Sequence, residues 1–442
     1  MESAGPIFKL SETGDGGEDV IDDYVEYATK ACDAPKIYHL AMGYFVVSSI
    51  LGRFVRLITP YNRRGIAPNL WVLLIGPSRI VRKTTAMWLA EDLIKEVNPN
   101  ILIPASFTPE ALYEMFNQLN PGDTVVWVKD EMGGFFKSLE KRYMYGVREI
   151  LSSMYTGRGE TRKLRNLTLR IPDGLYVCAC GTMPTPPHVY LTEEDFQSGF
   201  MNRWILAYAT QRERTLPLIR DPSETEPLFQ GLVQKLKEYE GVLSSVTPVL
   251  GIASSAQAKI EEYNRESERE ITIMEESAPG SLFAMYYGES PTLLLKLSML
   301  RRLARGSLQE PLLVIEDQDV DKALGDLKAF IESARNVVDD VQSSPRPKPV
   351  LTEEKILTKI VTLINSRGPE GMSYSELLKK TKLVGDELKR YIITLVERED
   401  VICLRVRTGG RPLLKFFGAA WHNVVLTQGE HVSADTLKAL LR

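Results

Sequence analysis

The sequence predicts an α/β protein: a parallel sheet flanked by helices, with a helical segment before it and a helical region and small C-terminal module after it. Three observations predict this. Between residues 70 and 210, short continuous apolar runs (WVLLI, ILIPAS, TVVWV, LYVCAC, WILAYA) alternate with helix-like pieces, as strands buried on both faces do. Residues 225–340 are instead Leu-rich at helical spacing, as in SPTLLLKLSMLRRLARG and EDQDVDKALGDLKAFIESARNVV. QSSPRPKPV, residues 342–350, is a Pro/Ser/basic linker and marks the clearest domain boundary.

Taken in order, residues 1–18 are Gly/Ser/Asp/Glu-rich and predict a mobile tail. From 19 to 66 the spacing of Ile21, Tyr24, Val25 and Ala28, and of Leu40, Tyr44, Val47, Ile50 and Leu51, predicts two helices. The core spans 67–214. Its second helix opens with Thr108-Pro109-Glu110, where a helix start favours those types. Further helices are expected near 145–155 and 192–200. Residues 215–341 form the helical region and 342–350 the linker. In 351–418, three helices (TEEKILTKIVTLINSRG, SYSELLKKTK, GDELKRYIITLVERED) precede strands 401–407 and 412–417, joined at Gly409-Gly410. That order predicts a winged helix. Residues 419–442 are a tail to which no chemistry is assigned.

Composition narrows the function classes. The chain has 442 residues, 44% hydrophobic and 25% charged, with net charge −4, within the ordinary globular range. Four cysteines are too few and scattered for a disulfide framework, and Cys178-Ala-Cys180 has strand alternation rather than zinc-knuckle spacing. The four histidines show no metal-ligand spacing, which disfavours histidine-based metal hydrolysis. The polar, acidic start is unlike a signal peptide, and no apolar run reaches the roughly 20 residues that span a bilayer. A cytoplasmic protein without a membrane role is expected. Residues 351–418 carry 13 Lys/Arg against 9 Asp/Glu, a net of +4, which leaves −8 on the rest. A basic module on an acidic body points towards nucleic acid.

The first chemical signal is LWVLLIGPSRIVRKTTAMWLAEDLI, residues 70–94. An apolar strand, a turn at Gly76-Pro77 and a helix opening at Lys83-Thr84-Thr85 are the parts of a phosphate-binding loop, an α/β P-loop NTPase element. Gly76, Pro77, Ser78, Arg82, Lys83, Thr84 and Thr85 are the candidate ATP contacts. Arg82 stands where the usual second glycine would be, acceptable only at negative φ. One extra residue is expected to bulge outward at Ser78–Val81. The second signal is TVVWVKDEMGGFF: Asp130-Glu131 at a strand's end, with Asp130 and Thr84 supporting Mg2+ and Glu131 polarising the attacking water. An Asp-Glu pair is more often an exposed acidic turn; the apolar strand before it argues against that. Thr182 ends LYVCACGTMP and is a candidate γ-phosphate sensor. Arg203, before the last apolar strand, is a candidate finger for a neighbouring subunit, weighed evenly against a surface ion pair.

Lys83-Thr84, Asp130-Glu131-Met-Gly-Gly-Phe, the Thr182 strand and Gly199-Phe-Met-Asn-Arg203-Trp together resemble a family of phage-, plasmid- and mobile-element P-loop ATPases. These are similar to AAA+ replicative helicases of the minichromosome-maintenance kind. The resemblance covers roughly residues 20–335. It implies the additional-strand, catalytic-glutamate class, a helical lid over the nucleotide with Arg301 or Arg302 reaching the γ-phosphate, and a homo-oligomeric ring, a hexamer, working on DNA. In such rings a basic hairpin enters the pore, here Arg158, Arg162, Lys163, Arg165 and Arg170 in GRGETRKLRNLTLRIP, for single-stranded DNA. Lys389, Arg390, Arg405, Arg407 and Arg411 of the winged helix are candidate duplex contacts, although a protein-docking role is the competing reading. The expectation is a DNA-dependent ATPase, a helicase or translocase. An ATP-gated regulator or helicase loader, and a non-hydrolysing adaptor, are the alternatives.

Overall fold

The computed structural model describes residues 19–344 and 353–441, apart from 61, 108, 140–143, 145, 164–167, 218, 247, 309, 382 and 408–411. The tail expected at 1–18 and most of the linker expected at 342–350 lie outside the described residues. The chain forms two compact units, Met1–Ser344 and Pro345–Arg442.

The first unit opens with helix α1 (Val20–Ala31), capped by Asp19, whose carboxylate accepts from the amides of Ile21 and Asp22 at 2.9 and 3.0 Å. Helix α2 (Lys36–Leu51) follows. A hairpin that the helical reading of 19–66 did not anticipate comes next: β1 (Leu57–Thr59) and β2 (Asn62–Ile66), paired antiparallel. The core then runs β3 (Trp71–Ile75), α3 (Lys83–Val97), β4 (Leu102–Ile103), α4 (Pro109–Gln118), β5 (Thr124–Lys129), α5 (Met132–Ser138) and α6 (Val147–Tyr155). A second hairpin, β6 (Glu160–Lys163) with β7 (Thr168–Ile171), leads to β8 (Tyr176–Met183), α7 (Glu193–Gln197) and β9 (Trp204–Tyr208).

Five strands form one parallel sheet in the order β4-β5-β8-β3-β9. Every residue of β3 and β8 is buried, which is why both read as unbroken apolar runs rather than as alternation. On one face Val72, Leu74, Cys178 and Cys180 join a core with α2 and α3; on the other Trp71, Leu73, Val177 and Ala179 pack with Phe135, Phe200 and Trp204. Burial of each such large apolar side chain contributes about 1.5–3 kcal/mol.

The helical region comprises α8 (Glu226–Val246), α9 (Ser254–Ser277), α10 (Leu282–Tyr287), α11 (Ser290–Ala304) and α12 (Asp317–Ser343). A parallel strand pair, β10 (Val249–Ile252) with β11 (Leu312–Ile315), lies within it and was not predicted. Helix α12 continues to Ser343, past the expected start of the linker. The region packs on the side of the core and on the segment between β8 and β9, where the His188 amide donates to Asp340 of α12 at 2.9 Å. Helix α8 contacts α1, α2 and α3, and α12 lies on β9, where the Tyr208 amide donates to Ser333 Oγ at 2.6 Å. One helix among the described residues, Lys36–Phe54, is long and apolar enough by length and composition to cross a membrane. Here 78% of it is buried, packed on α1, α3 and α11.

The second unit contains α13 (Glu353–Asn365), β12 (Met372–Ser373), α14 (Tyr374–Thr381), α15 (Gly385–Glu397), β13 (Val401–Val406) and β14 (Leu413–Gly418). Ser373 and Glu376 cap α14 reciprocally, the Glu376 amide on Ser373 Oγ at 3.3 Å and the Ser373 amide on Glu376 at 2.8 Å. Residues 419–442 are no loose tail. They supply α16 (His422–Val425), β15 (Glu430–His431) and α17 (Ala434–Leu440), giving a sheet ordered β12-β14-β13-β15. Leu437 of α17 is fully buried and Lys438 pairs with Glu397 of α15 at 2.5 Å.

Candidate functional site

In a parallel sheet, loops that bind ligands gather beyond the C-terminal ends of the strands. The loop after β3, the acid pair after β5 and Thr182 near the end of β8 all lie there, because β8 pairs with β3 on one side and β5 on the other. Sequence separation of 46 residues between Thr84 and Asp130 therefore becomes a 3.2 Å contact, Thr84 Oγ1 donating to Asp130 Oδ1. The same oxygen accepts from Thr182 Oγ1 at 2.5 Å and from the Glu131 amide at 3.0 Å. Thr182 Oγ1 in turn accepts from the Glu131 amide at 3.2 Å. Three donors hold one Asp130 oxygen; Oδ2 has no hydrogen bond among the described residues. Thr182 is fully buried, so in this geometry it is a positioning residue for the acid pair.

Lys83 is the first residue of α3 and is buried, its ammonium 3.4 Å from Ser78 Oγ. Burial pushes its pKa down, and the nearby carboxylates of Asp130 and Glu131 push it back up. Gly76 is required by close approach. A Cβ there would lie 2.5 Å from both the Ala209 carbonyl and Tyr38 Oη, and 2.6 Å from Val81 Cγ2. Tyr38, which sequence reasoning missed, fixes the start of the loop by donating to the Ile75 carbonyl at 2.6 Å.

The loop between these points corrects two expectations. Ser78, Arg79 and Ile80 are exposed, but Val81 turns inward and is fully buried, so the outward bulge stops at Ile80. Arg82 has φ +52°, not the negative value its side chain was expected to demand. The backbone thus takes the left-handed turn that a glycine would take, at a cost of order 1 kcal/mol. Glu131, at φ +54°, does the same before α5. Arg82 does not fill the site. Its guanidinium lies 3.5 Å from Asp33, which also pairs with Arg212. Because that pair is partly exposed, Arg82→Gly is expected to raise stability by about 0.5–1 kcal/mol in urea unfolding, relief of strain outweighing the lost contact. A lower urea midpoint would show that the Asp33 pair matters more.

Several predicted residues fall elsewhere. Arg301 and Arg302 do not approach the loop. Arg301 is buried in a network with Asp19, Asp22, Asp326 and Tyr44, and Arg302 donates to the Gly306 and Ser307 carbonyls at 2.7 and 3.3 Å. The hydrogen bonds and ion pairs of both arginines run to α1, α2, α12 and the turn after α11 instead. Arg203 precedes β9, at the N-terminal ends of the parallel strands, whereas Lys83 lies beyond their C-terminal ends, and it donates to the Gly199 carbonyl. Arg158 and Arg170 are exposed; the Arg170 amide donates to Asn117 at 2.7 Å. Arg162 and Lys163 lie in β6, and their side chains, with Arg165 and Arg411, are outside the described residues. In the second unit Arg390, Arg405 and Arg407 are exposed, while Lys389 pairs with Asp386 at 3.2 Å.

The donor set suits a hard cation. Among the described residues no group of three or more His, Cys, Asp or Glu could hold a metal by itself. One carboxylate and one hydroxyl side by side are instead what Mg2+ takes from a protein when phosphates and water complete its shell. No protein-family model matches the chain, and no curated protein matches it significantly.

Proposed function

We propose that the first unit is a P-loop ATPase of the additional-strand, catalytic-glutamate class, similar to AAA+ helicases, and that the chain couples ATP hydrolysis to DNA. The observation that carries this reading is the convergence of Thr84, Thr182 and the Glu131 amide on one oxygen of Asp130, beside buried Lys83. The strand order supports the class, since β8 separates the lysine-bearing β3 from the acid-bearing β5.

In this reading the amides of Lys83, Thr84 and Thr85 at the start of α3 face the phosphates, where they have no intrahelical partners. Lys83 neutralises charge on the β- and γ-phosphates. Thr84 and Asp130 would hold Mg2+, which would screen the charge of the triphosphate. The Glu131 carboxylate, which has no hydrogen-bond partner among the described residues, accepts a proton from the attacking water. Arg203 faces away from its own site, so any role as a finger would be played on a neighbouring subunit in a ring.

The second unit fits a winged helix. Its helix–strand–helix–helix–hairpin order and the pairing of β12 with β14 match that layout. Exposed Arg405 and Arg407 support phosphate contact over base reading, since Asp386, Glu387, Glu397 and Glu399 accompany Lys389 and Arg390 in and beside α15.

Calorimetric titration with a slowly hydrolysed ATP analogue and Mg2+ tests the first step. Saturable binding with micromolar affinity is expected. No heat at near-millimolar nucleotide would leave only the non-hydrolysing adaptor. Turnover stimulated by DNA with strand displacement distinguishes a helicase from an ATP-gated regulator or loader, which would hydrolyse without unwinding.

A further inference from the structure

The first unit carries a second set of basic side chains at the N-terminal ends of the strands, the opposite end of the sheet from Lys83. A cleft of about 470 Å³ opens beneath the N-terminal ends of β3 and β8, between the β1–β2 hairpin and the α6–β6 corner. Two further hollows, of about 400 and 370 Å³, share Asn62 and Arg64 with it, so the three form one continuous depression. Arg56, Arg64 and Lys296 line the cleft, and Arg63, Arg158 and Arg203 line its extensions.

Two carboxylates oppose five arginines; burial pushes the pKa of the sixth basic group, Lys296, down to about 7, so it carries only part of a charge at neutral pH. Asp173 is already engaged, by Arg64 at 2.5 Å and by the Gly159 amide at 2.7 Å. Glu289 lies on the floor beside Lys296 and Arg203. Burial pushes its pKa up, and those two cations draw it back. Lys296 is itself buried, donating to Asn69 Oδ1 at 3.0 Å and seated 3.9 Å over the Tyr155 ring. Arg56, Arg63 and Arg158 have no carboxylate within ion-pair distance among the described residues. The depression therefore has an excess of positive charge spread along its length, which suits a chain of phosphates better than one compact anion. A hollow of this size admits a nucleotide-sized group and a flexible strand. A duplex, with its bases stacked inside, cannot seat a nucleotide in it.

We propose that the β1–β2 hairpin and the α6–β6 corner form a groove that tracks the backbone of single-stranded nucleic acid, with Arg63, Arg64 and Arg158 contacting phosphate. The proposal rests on the reading of the chain as acting on DNA, and it is independent of ATP turnover. It adds a wall, the hairpin at 57–66, that is separate from the 158–170 segment and from the second unit.

The test is fluorescence anisotropy of a labelled oligo-dT over a range of salt concentrations, using the full chain and the R63A/R64A variant. The Arg64–Asp173 pair is exposed, so its loss has little effect on stability; the urea midpoint checks this. Two lost phosphate contacts are expected to make the slope of log K against log salt shallower by about 1.4. Asp173→Asn, which keeps an acceptor for the Gly159 amide and frees Arg64, is expected to tighten binding. An unchanged slope in R63A/R64A overturns the groove while leaving DNA binding elsewhere intact. A loss of DNA-free ATP turnover in that variant with an unchanged slope would assign the cluster to a neighbour's nucleotide and also overturn it. Failure of the unaltered chain to bind oligo-dT would end both the groove and the DNA half of the functional reading, with ATP hydrolysis measured separately.

Discussion

Glu131→Gln is expected to lower ATP turnover by about 10²- to 10³-fold while leaving nucleotide affinity within about twofold. The amide of Glu131 is fixed on Thr182 and Asp130, its backbone is left-handed, and both carboxylates act on the Lys83 ammonium. Its carboxylate has no hydrogen-bond partner among the described residues, so removal of its charge disturbs no ion pair. Glutamine keeps the length, the backbone strain and the hydrogen-bonding capacity, but it cannot accept the proton of an attacking water. Phosphate release under saturating ATP, with calorimetry of the analogue on the same preparation, separates chemistry from binding. Turnover equal to that of the unaltered chain would remove Glu131 from the chemistry and shift attention to a regulatory or adaptor role.

Arg301→Ala is expected to destabilise the first unit by about 3 kcal/mol, because it removes the central cation of a largely buried carboxylate cluster and leaves only Lys322, 3.4 Å from Asp19 and 2.8 Å from Asp22. One guanidinium holds Asp19 at 2.7 Å, Asp22 at 2.8 Å and Asp326 at 2.7 Å, and donates to Tyr44 Oη at 2.9 Å. It thereby joins α1, α2, α11 and α12. Asp19 is 3% exposed and also caps α1, so the lost charge is not recovered from water. Arg301→Lys cannot reproduce the forked geometry and is expected to rescue only part of the loss. The network is acid-sensitive. Burial raises the Asp22 pKa, but Lys322 and Arg301 more than offset it and hold it below its ordinary 3.8. Its contribution is therefore present above that value and lost as pH falls through the depressed one. Urea unfolding gives the stability, and nucleotide titration below the unfolding range is expected to match the unaltered chain. A small stability change with lost ATP affinity would return Arg301 to the nucleotide.

Arg301 also shows what a sequence can miss. A basic residue on a helix, in a region expected to act as a lid, invites a phosphate. Its three carboxylate partners lie 282, 279 and 25 residues away, and no periodicity records them. The β1–β2 hairpin escaped notice for a related reason. Three- and five-residue strands around an unpredicted turn carry too few alternations to stand out, so the arginines of RFVRLITPYNRRG were not read as one face. The sequence signal that marks them is local charge density, with Arg56, Arg63 and Arg64 close together and no acidic residue between them.

The sequence by itself determined that a parallel sheet would form, because strands buried on both faces must be apolar at every position, and WVLLI and LYVCAC are. It also determined which strand ends would carry Lys83, Thr84, Asp130, Glu131 and Thr182, since each adjoins or lies within an apolar run. The resemblance implied that β8 would lie beside β3, but tertiary structure alone decided that Thr84 and Thr182 meet on a single oxygen of Asp130. It alone decided the sign of φ at Arg82 and the destination of Arg301. Strand order, backbone handedness at a crowded turn and long-range ion pairing are set by the packing of the whole unit, which no local window contains.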